Sequence, residues 1–87
     1  MTRQRVIPLS LVAEGEKVRI ISLNAGLHMR NRLLEIGIKE GETIQVIQNS
    51  YGPVIIALKG SRYAIGRGVS MKILTEIEDN SEVRTCL

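Results

Sequence analysis

Apolar residues fall along this chain in short bursts, and the period of the pattern changes at glycines. The first burst, Pro8 to Val12, ends at Glu14-Gly15-Glu16 and predicts a lead-in that packs Leu9 and Leu11 on the core. Lys17 to Leu23 reads as a strand, with Val18, Ile20 and Ser22 on one side and Arg19, Ile21 and Leu23 on the other. Apolar residues on both sides fit a strongly curved strand in a barrel wall. After Asn24-Ala25-Gly26 the period lengthens: Met29, Leu33 and Ile36 recur at intervals of four and three, one face of a helix from Leu27 to Ile36. A helix of roughly two and a half turns does not hold alone in water, so it depends on burying that face, with Leu33 as its anchor.

Gly37 is placed to stop the helix in the left-handed conformation, and Gly41, within Lys39-Glu40-Gly41-Glu42, to turn the chain into the strand Thr43 to Gln48. Asn49-Ser50-Tyr51-Gly52-Pro53 reads as a turn before the strand Val54 to Lys59. Gly60-Ser61 reverses that strand into Arg62 to Ile65 as an antiparallel hairpin. Gly66-Arg67-Gly68 interrupts the run, and Met71 to Glu76 forms the last strand. The pattern predicts a mainly β fold, a small barrel of about five short strands with one short inserted helix.

Eighty-seven residues hold one hydrophobic core. Ile, Leu and Val dominate it, and Tyr51 and Tyr63 are the only aromatics in the sequence. Two tyrosines make a poor stacking platform, which counts against a grip on single-stranded nucleic acid. Residues 1 to 75 carry eleven Lys and Arg against five Glu, a balance of +6, whereas residues 76 to 87 carry four acids against Arg84. The basic body suits nucleic acid, anionic lipid or an acidic protein surface, and charge alone does not choose among them. The body is read as residues 8–76, preceded by a flexible stretch 1–7 and followed by an acidic tail 77–87, expected to be disordered or loosely docked. Cys86 is the only cysteine, which suits a reducing compartment. No apolar stretch is long enough to span a bilayer, and the first residues lack a secretory apolar region, so no direct membrane insertion is expected.

Candidate chemistry is sparse. His28 is the only histidine and does not complete a metal shell by itself, so no metal ligand set is assigned. Glu14, Glu16, Glu40 and Glu42 each flank a glycine before a strand and would offer a weak oxygen-rich cation patch if the two pairs met. No nucleophile has a visible base, so no catalytic residue is assigned and no enzymatic activity is expected. The remaining candidates are basic, Arg30 and Arg32 on the helix and Arg62 and Arg67 around the last hairpin, and they read either as a solvated face or as an electropositive surface that steers and holds a partner.

Several stretches carry a family likeness: Leu9-Ser10-Leu11 before Gly15, Val18-Arg19-Ile20-Ile21, Lys39-Glu40-Gly41-Glu42-Thr43-Ile44, Gly52-Pro53-Val54, Leu58-Lys59-Gly60 and Tyr63-Ala64-Ile65-Gly66-Arg67. The most specific is the helix block from Met29 to Ile38, with Arg30, Leu33, Gly37 and Gly41 in fixed register. Together they resemble the ferrous iron transport protein A (FeoA) family over about residues 8 to 76. The resemblance implies an SH3-like barrel with an inserted helix, in which Leu33, Gly37, Gly41 and Gly60 are structural. It implies a small cytoplasmic accessory protein of ferrous iron uptake, recruited to the inner face of the membrane by docking on the ferrous iron permease and its GTPase domain. Arg30, Arg32, Tyr51 and Arg67 would supply that contact. It implies no tightly bound cofactor and, at most, iron held weakly or shared with the permease.

The same domain type occurs at the C-terminus of iron-dependent DNA-binding repressors, but this chain shows no helix-turn-helix portion beside it. The alternative from another class is a small basic barrel that binds nucleic acid, which steep salt dependence would reveal. An iron-sensing module is the weakest, for want of His, Cys and Asp. Open edges of an incompletely closed barrel offer a route to weak homo-oligomers.

Overall fold

The computed structural model describes residues 6–78. The chain runs through β1 (Val6–Pro8), a 3-10 turn (Leu9–Leu11), β2 (Lys17–Leu23), α1 (Leu27–Glu35), β3 (Thr43–Gln48), β4 (Val54–Leu58), β5 (Ser61–Ile65), α2 (Arg67–Ser70) and β6 (Ile73–Ile77). The strands form one antiparallel sheet in the order β1-β6-β2-β3-β4-β5. The acidic tail expected from residue 77 onward lies, after Glu78, outside the described residues, and β6 itself extends to Ile77.

The expected SH3-like barrel of about five strands with one inserted helix is not what forms. Among the described residues there are six strands and two helices, and the sheet is not closed, because β1 and β5 sit at opposite edges and do not pair. The physical reason lies at the two places where closure would have to occur. Pro8 ends β1, and the chain bends at once into the 3-10 turn. After Ile65 the segment that sequence treats as a glycine interruption turns at Gly66 into α2 instead of extending β5 toward β1.

Burial follows the period-two pattern wherever the ladder is regular. Val54, Ile56 and Leu58 on β4 are buried, and so are Ile44 and Val46 on β3. On β2 the alternation breaks: Val18 and Ile20 face inward, but the next inward residue is Leu23 and not Ser22. The register of β2 on β6 shifts between Ile20 and Ser22, and one extra residue moves every later side chain to the other face. Leu9 packs in the core as expected, whereas Leu11 is 70% exposed. The tight 3-10 turn separates the two leucines, so they do not share a face.

The buried polar side chains are satisfied locally. Thr75 Oγ1 donates to Ile7 O at 2.9 Å, which ties β6 to β1, and Ser70 Oγ donates to Arg67 O at 2.8 Å. Burial at these two sites therefore leaves no orphan hydroxyl.

The helix face read from spacing is the one that packs: Leu33 is buried, with Met29 and Ile36 packed against the core. Ile38 N donates to Leu33 O at 2.9 Å and Gly37 N to Leu34 O at 3.0 Å. This is a Schellman ending, with Gly37 at φ +98° and the buried pair Leu33 and Ile38 as its apolar contact. At the other reversal, Lys59 and Gly60 have φ of 51° and 84° and link Leu58 directly to Ser61. Two positive φ values in a two-residue loop define a type I′ hairpin turn. Gly60→Ala should destabilise the domain by about 1–2 kcal/mol through backbone strain alone, since no atom lies within 4 Å of the added carbon. Urea denaturation of the variant measures the loss.

Candidate functional site

The side chains proposed from sequence for partner contact take two different roles. Arg32 projects from α1 into solvent, and Leu27 and Leu34 on the same helix are 75% and 49% exposed. Arg30 Nη1 donates to Leu23 O at 2.9 Å, so this arginine also straps α1 to the end of β2. Leu23, Arg30, Leu34, Lys39 and Glu40 line an open groove of about 260 Å³ beside the helix.

Arg67 faces inward on the fold. Its Nε donates to Gly52 O at 2.9 Å, its Nη2 to Asn49 Oδ1 at 2.8 Å and its Nη1 to Ser10 O at 3.5 Å. Asn49 Nδ2 in turn donates to Ser10 O at 2.9 Å and Val12 O at 2.7 Å. Glu14 Oε2 accepts from Asn49 N at 2.7 Å and Ser50 Oγ at 3.2 Å. This knot binds three segments: the 3-10 turn after β1, the loop between β3 and β4, and α2 after β5. It fills the corner that strand pairing leaves open.

Tyr51 stands on the pinned loop with 91% of its surface exposed. Leu11, in the 3-10 turn that the knot ties down, and Met71, next after α2, are both exposed. The corner connects to α1 through α2, since Met71 N donates to Arg67 O and Asn24 N donates to Lys72 O at 2.7 Å. Hydrogen bonds thus run from the loop through α2 to the segment that leads into α1. Sequence reasoning missed the part that Asn49 and Glu14 play in the knot, and the exposure of Leu11. An Asn at the end of a strand followed by Ser is the available signal, because short polar side chains favour local backbone bonds there.

The two acidic turns are kept apart. Gly15 N donates to Val46 O and Val46 N to Glu16 O, while Gly41 N donates to Ile20 O and Ile20 N to Glu42 O. Each glycine pairs with the fifth residue after the other, so the turns cap opposite ends of the β2/β3 ladder. Four residues of strand, roughly 13 Å, separate Glu16 from the partner of Glu42. Glu14 serves the knot, and Glu42 pairs with Lys59 at 3.5 Å. The oxygen-rich cation patch therefore does not form, and among the described residues no group of three or more His, Cys, Asp or Glu is placed to hold a metal. The basic surplus is partly neutralised within the fold, with Arg19 on Glu76 at 2.7 Å.

The domain is thus an open antiparallel sheet with a pinned loop that exposes an aromatic side chain and a helix set on its outer side. The FeoA domain model matches residues 7–77, and the chain belongs to the FeoA family. It is 48% identical over 69 residues to the Methanocaldococcus jannaschii "Putative Fe(2+) transport protein A", spanning 79% of this chain and 84% of that protein. A crystal structure of an iron uptake regulatory protein (FeoA) superposes with a TM-score of 0.80 at 33% identity, covering 85% of this chain and 100% of that one. The crystal structure of T. acidophilum IdeR shares the fold, with a TM-score of 0.78 at 14% identity over 90% of this chain and 37% of its own.

Proposed function

We propose that this protein is an accessory component of ferrous iron uptake that docks on the cytosolic, GTP-hydrolysing part of a membrane ferrous iron permease. Family membership supports the process, and one observation carries the docking: Tyr51 is 91% exposed on a loop held in place at both ends. A large amphipathic side chain on a preordered loop makes a strong anchor, because little entropy is lost when it is buried. In this reading Arg30 and Arg32 add directional hydrogen bonds from α1, with Leu27 and Leu34 as apolar neighbours. Arg67 acts from behind by holding the loop. Fe2+ is the permease's cargo, and any contact this chain makes with it is weak or shared. No helix among the described residues is long and apolar enough to cross a membrane, so its place at the inner face would come from the partner.

Calorimetric titration of the protein into the purified cytosolic domain of its permease, with and without guanine nucleotide, tests the proposal. Saturable binding is expected. Tyr51→Ala should weaken it at least about tenfold while leaving the melting temperature unchanged. Binding that ignores Tyr51→Ala would remove the loop from the interface, and silence in every nucleotide state would overturn the docking.

A further inference from the structure

We propose that β5 is a self-recognition edge, through which two copies of this chain pair antiparallel about a two-fold axis at Tyr63. The two edges of the sheet differ in kind. β1 ends in Pro8, which has no N–H to offer. β5 pairs with β4 through all five residues, from Leu58↔Ser61 to Val54↔Ile65, without the register shifts found on β2 and β3. It holds no proline and a single charge, Arg62, so the usual devices that blunt a free edge are nearly absent.

The hairpin fixes which backbone groups point outward. In a two-residue turn the residues flanking the loop form a hydrogen-bonded pair, and the pairs alternate from there. Ser61, Tyr63 and Ile65 therefore bond to β4, while Arg62 and Ala64 turn their N–H and C=O groups away from the sheet. Among the described residues these groups meet no protein partner. Their surroundings are open, since Arg62 and Ala64 are both exposed.

A second copy satisfies all of them in one register. With Tyr63 opposite Tyr63 of the partner copy, Arg62 faces Ala64 and Ala64 faces Arg62, and each pair exchanges two hydrogen bonds. Shifting the axis to Arg62 would set two like charges opposite one another, and shifting it to Ala64 would leave both Arg62 residues beyond the paired segment. The favoured register also brings the two Tyr63 rings together as a non-hydrogen-bonded pair, in which cross-strand side chains lie closest. Tyr63 already packs against the core, so the pairing would lengthen the apolar layer across the two sheets. The contact is isologous, as a closed dimer requires. Five residues a side make a small interface, so the association is weak and concentration-dependent.

Sedimentation equilibrium of the full chain over a concentration series, with amide exchange read residue by residue, tests this. Mass should rise toward that of a dimer, and the amides of Arg62 and Ala64 should gain protection with concentration while those of Ser61, Tyr63 and Ile65 do not change. Ala64→Glu, facing Arg62 of the other copy, should tighten association roughly three- to tenfold at low salt, and Ala64→Lys should weaken it by a similar factor. Ala64→Pro removes an outward N–H and no bond to β4, and should abolish pairing. If Ala64→Pro does not fold, the two charge variants decide the matter. A chain that stays monomeric throughout, or a dimer indifferent to both charge variants, would overturn the proposal.

Discussion

Asn49→Ala should lower stability by about 3 kcal/mol, a loss far larger than its half-buried position suggests. The side chain donates to Ser10 O and Val12 O and accepts from Arg67 Nη2, so alanine removes three hydrogen bonds, one of them charge-assisted. At about 1 kcal/mol for each neutral bond and somewhat more for the charged one, the sum is of that order. In a domain this small the melting temperature should fall by roughly 10–20 °C. Asn49→Asp should rescue little: it keeps an acceptor for Arg67 but turns a carboxylate toward two carbonyl oxygens and lies close to Glu14. Ser50→Ala, which deletes only one long exposed bond to Glu14, is the control and should shift the melting temperature by no more than a few degrees. Calorimetric melting of the three variants measures the difference, and equal small losses for Asn49→Ala and Ser50→Ala would show that the corner holds without the knot.

The knot also explains why the architecture was only partly legible in the sequence. Strand positions were readable, because alternation and branched residues mark β2, β3 and β4, and spacing marks the inward face of α1. Closure was not, because it depends on whether β1 and β5 meet, and nothing local to either strand records that. The stretch Gly66-Arg67-Gly68 has the composition of a breaker, yet Arg67 begins a short helix whose side chain ties down two other segments. Its partners are 15, 18 and 57 residues away in the chain, beyond any periodicity. The inward turn of Leu23 was hidden for a related reason: a bulge changes the parity of a strand without changing its composition.

The candidate site divides in the same way. The exposure of Tyr51 and Arg32 was readable, since an aromatic in a Gly-Pro turn has no core to join and Arg32 lies on the polar side of an amphipathic helix. Arg67 was grouped with them on charge and position alone, whereas its three donors are aimed at the fold. An arginine fork that binds two carbonyls and an amide oxygen is a bracket for a loop, and the loop it holds presents Tyr51. Arg67→Lys keeps the charge and loses the fork. It should therefore weaken partner binding through loosening of the loop, with a fall in melting temperature that Tyr51→Ala does not share.

Gly37→Ala should destabilise the domain by about 2–3 kcal/mol, and comparison with Gly41→Ala separates the two causes. Both glycines have nearly the same positive φ, +98° and +92°. An added Cβ at Gly41 meets nothing within 4 Å, whereas at Gly37 it would lie 3.2 Å from Leu58 Cδ2. Gly41→Ala therefore carries the left-handed backbone strain alone, about 1–2 kcal/mol. Gly37→Ala adds the displacement of a leucine that is 2% exposed, and pushing a packed side chain off its rotamer costs roughly 0.5–1.5 kcal/mol more. The assignment is testable by a double-mutant cycle in urea. Leu58→Val alone should cost about 1 kcal/mol by leaving a gap in the core. In the Gly37→Ala background the same change relieves the contact and should cost nearly nothing, so the two substitutions couple favourably. Equal losses for the two glycine variants, or strict additivity with Leu58→Val, would mean that Leu58 yields freely and that backbone conformation alone fixes glycine at the end of α1.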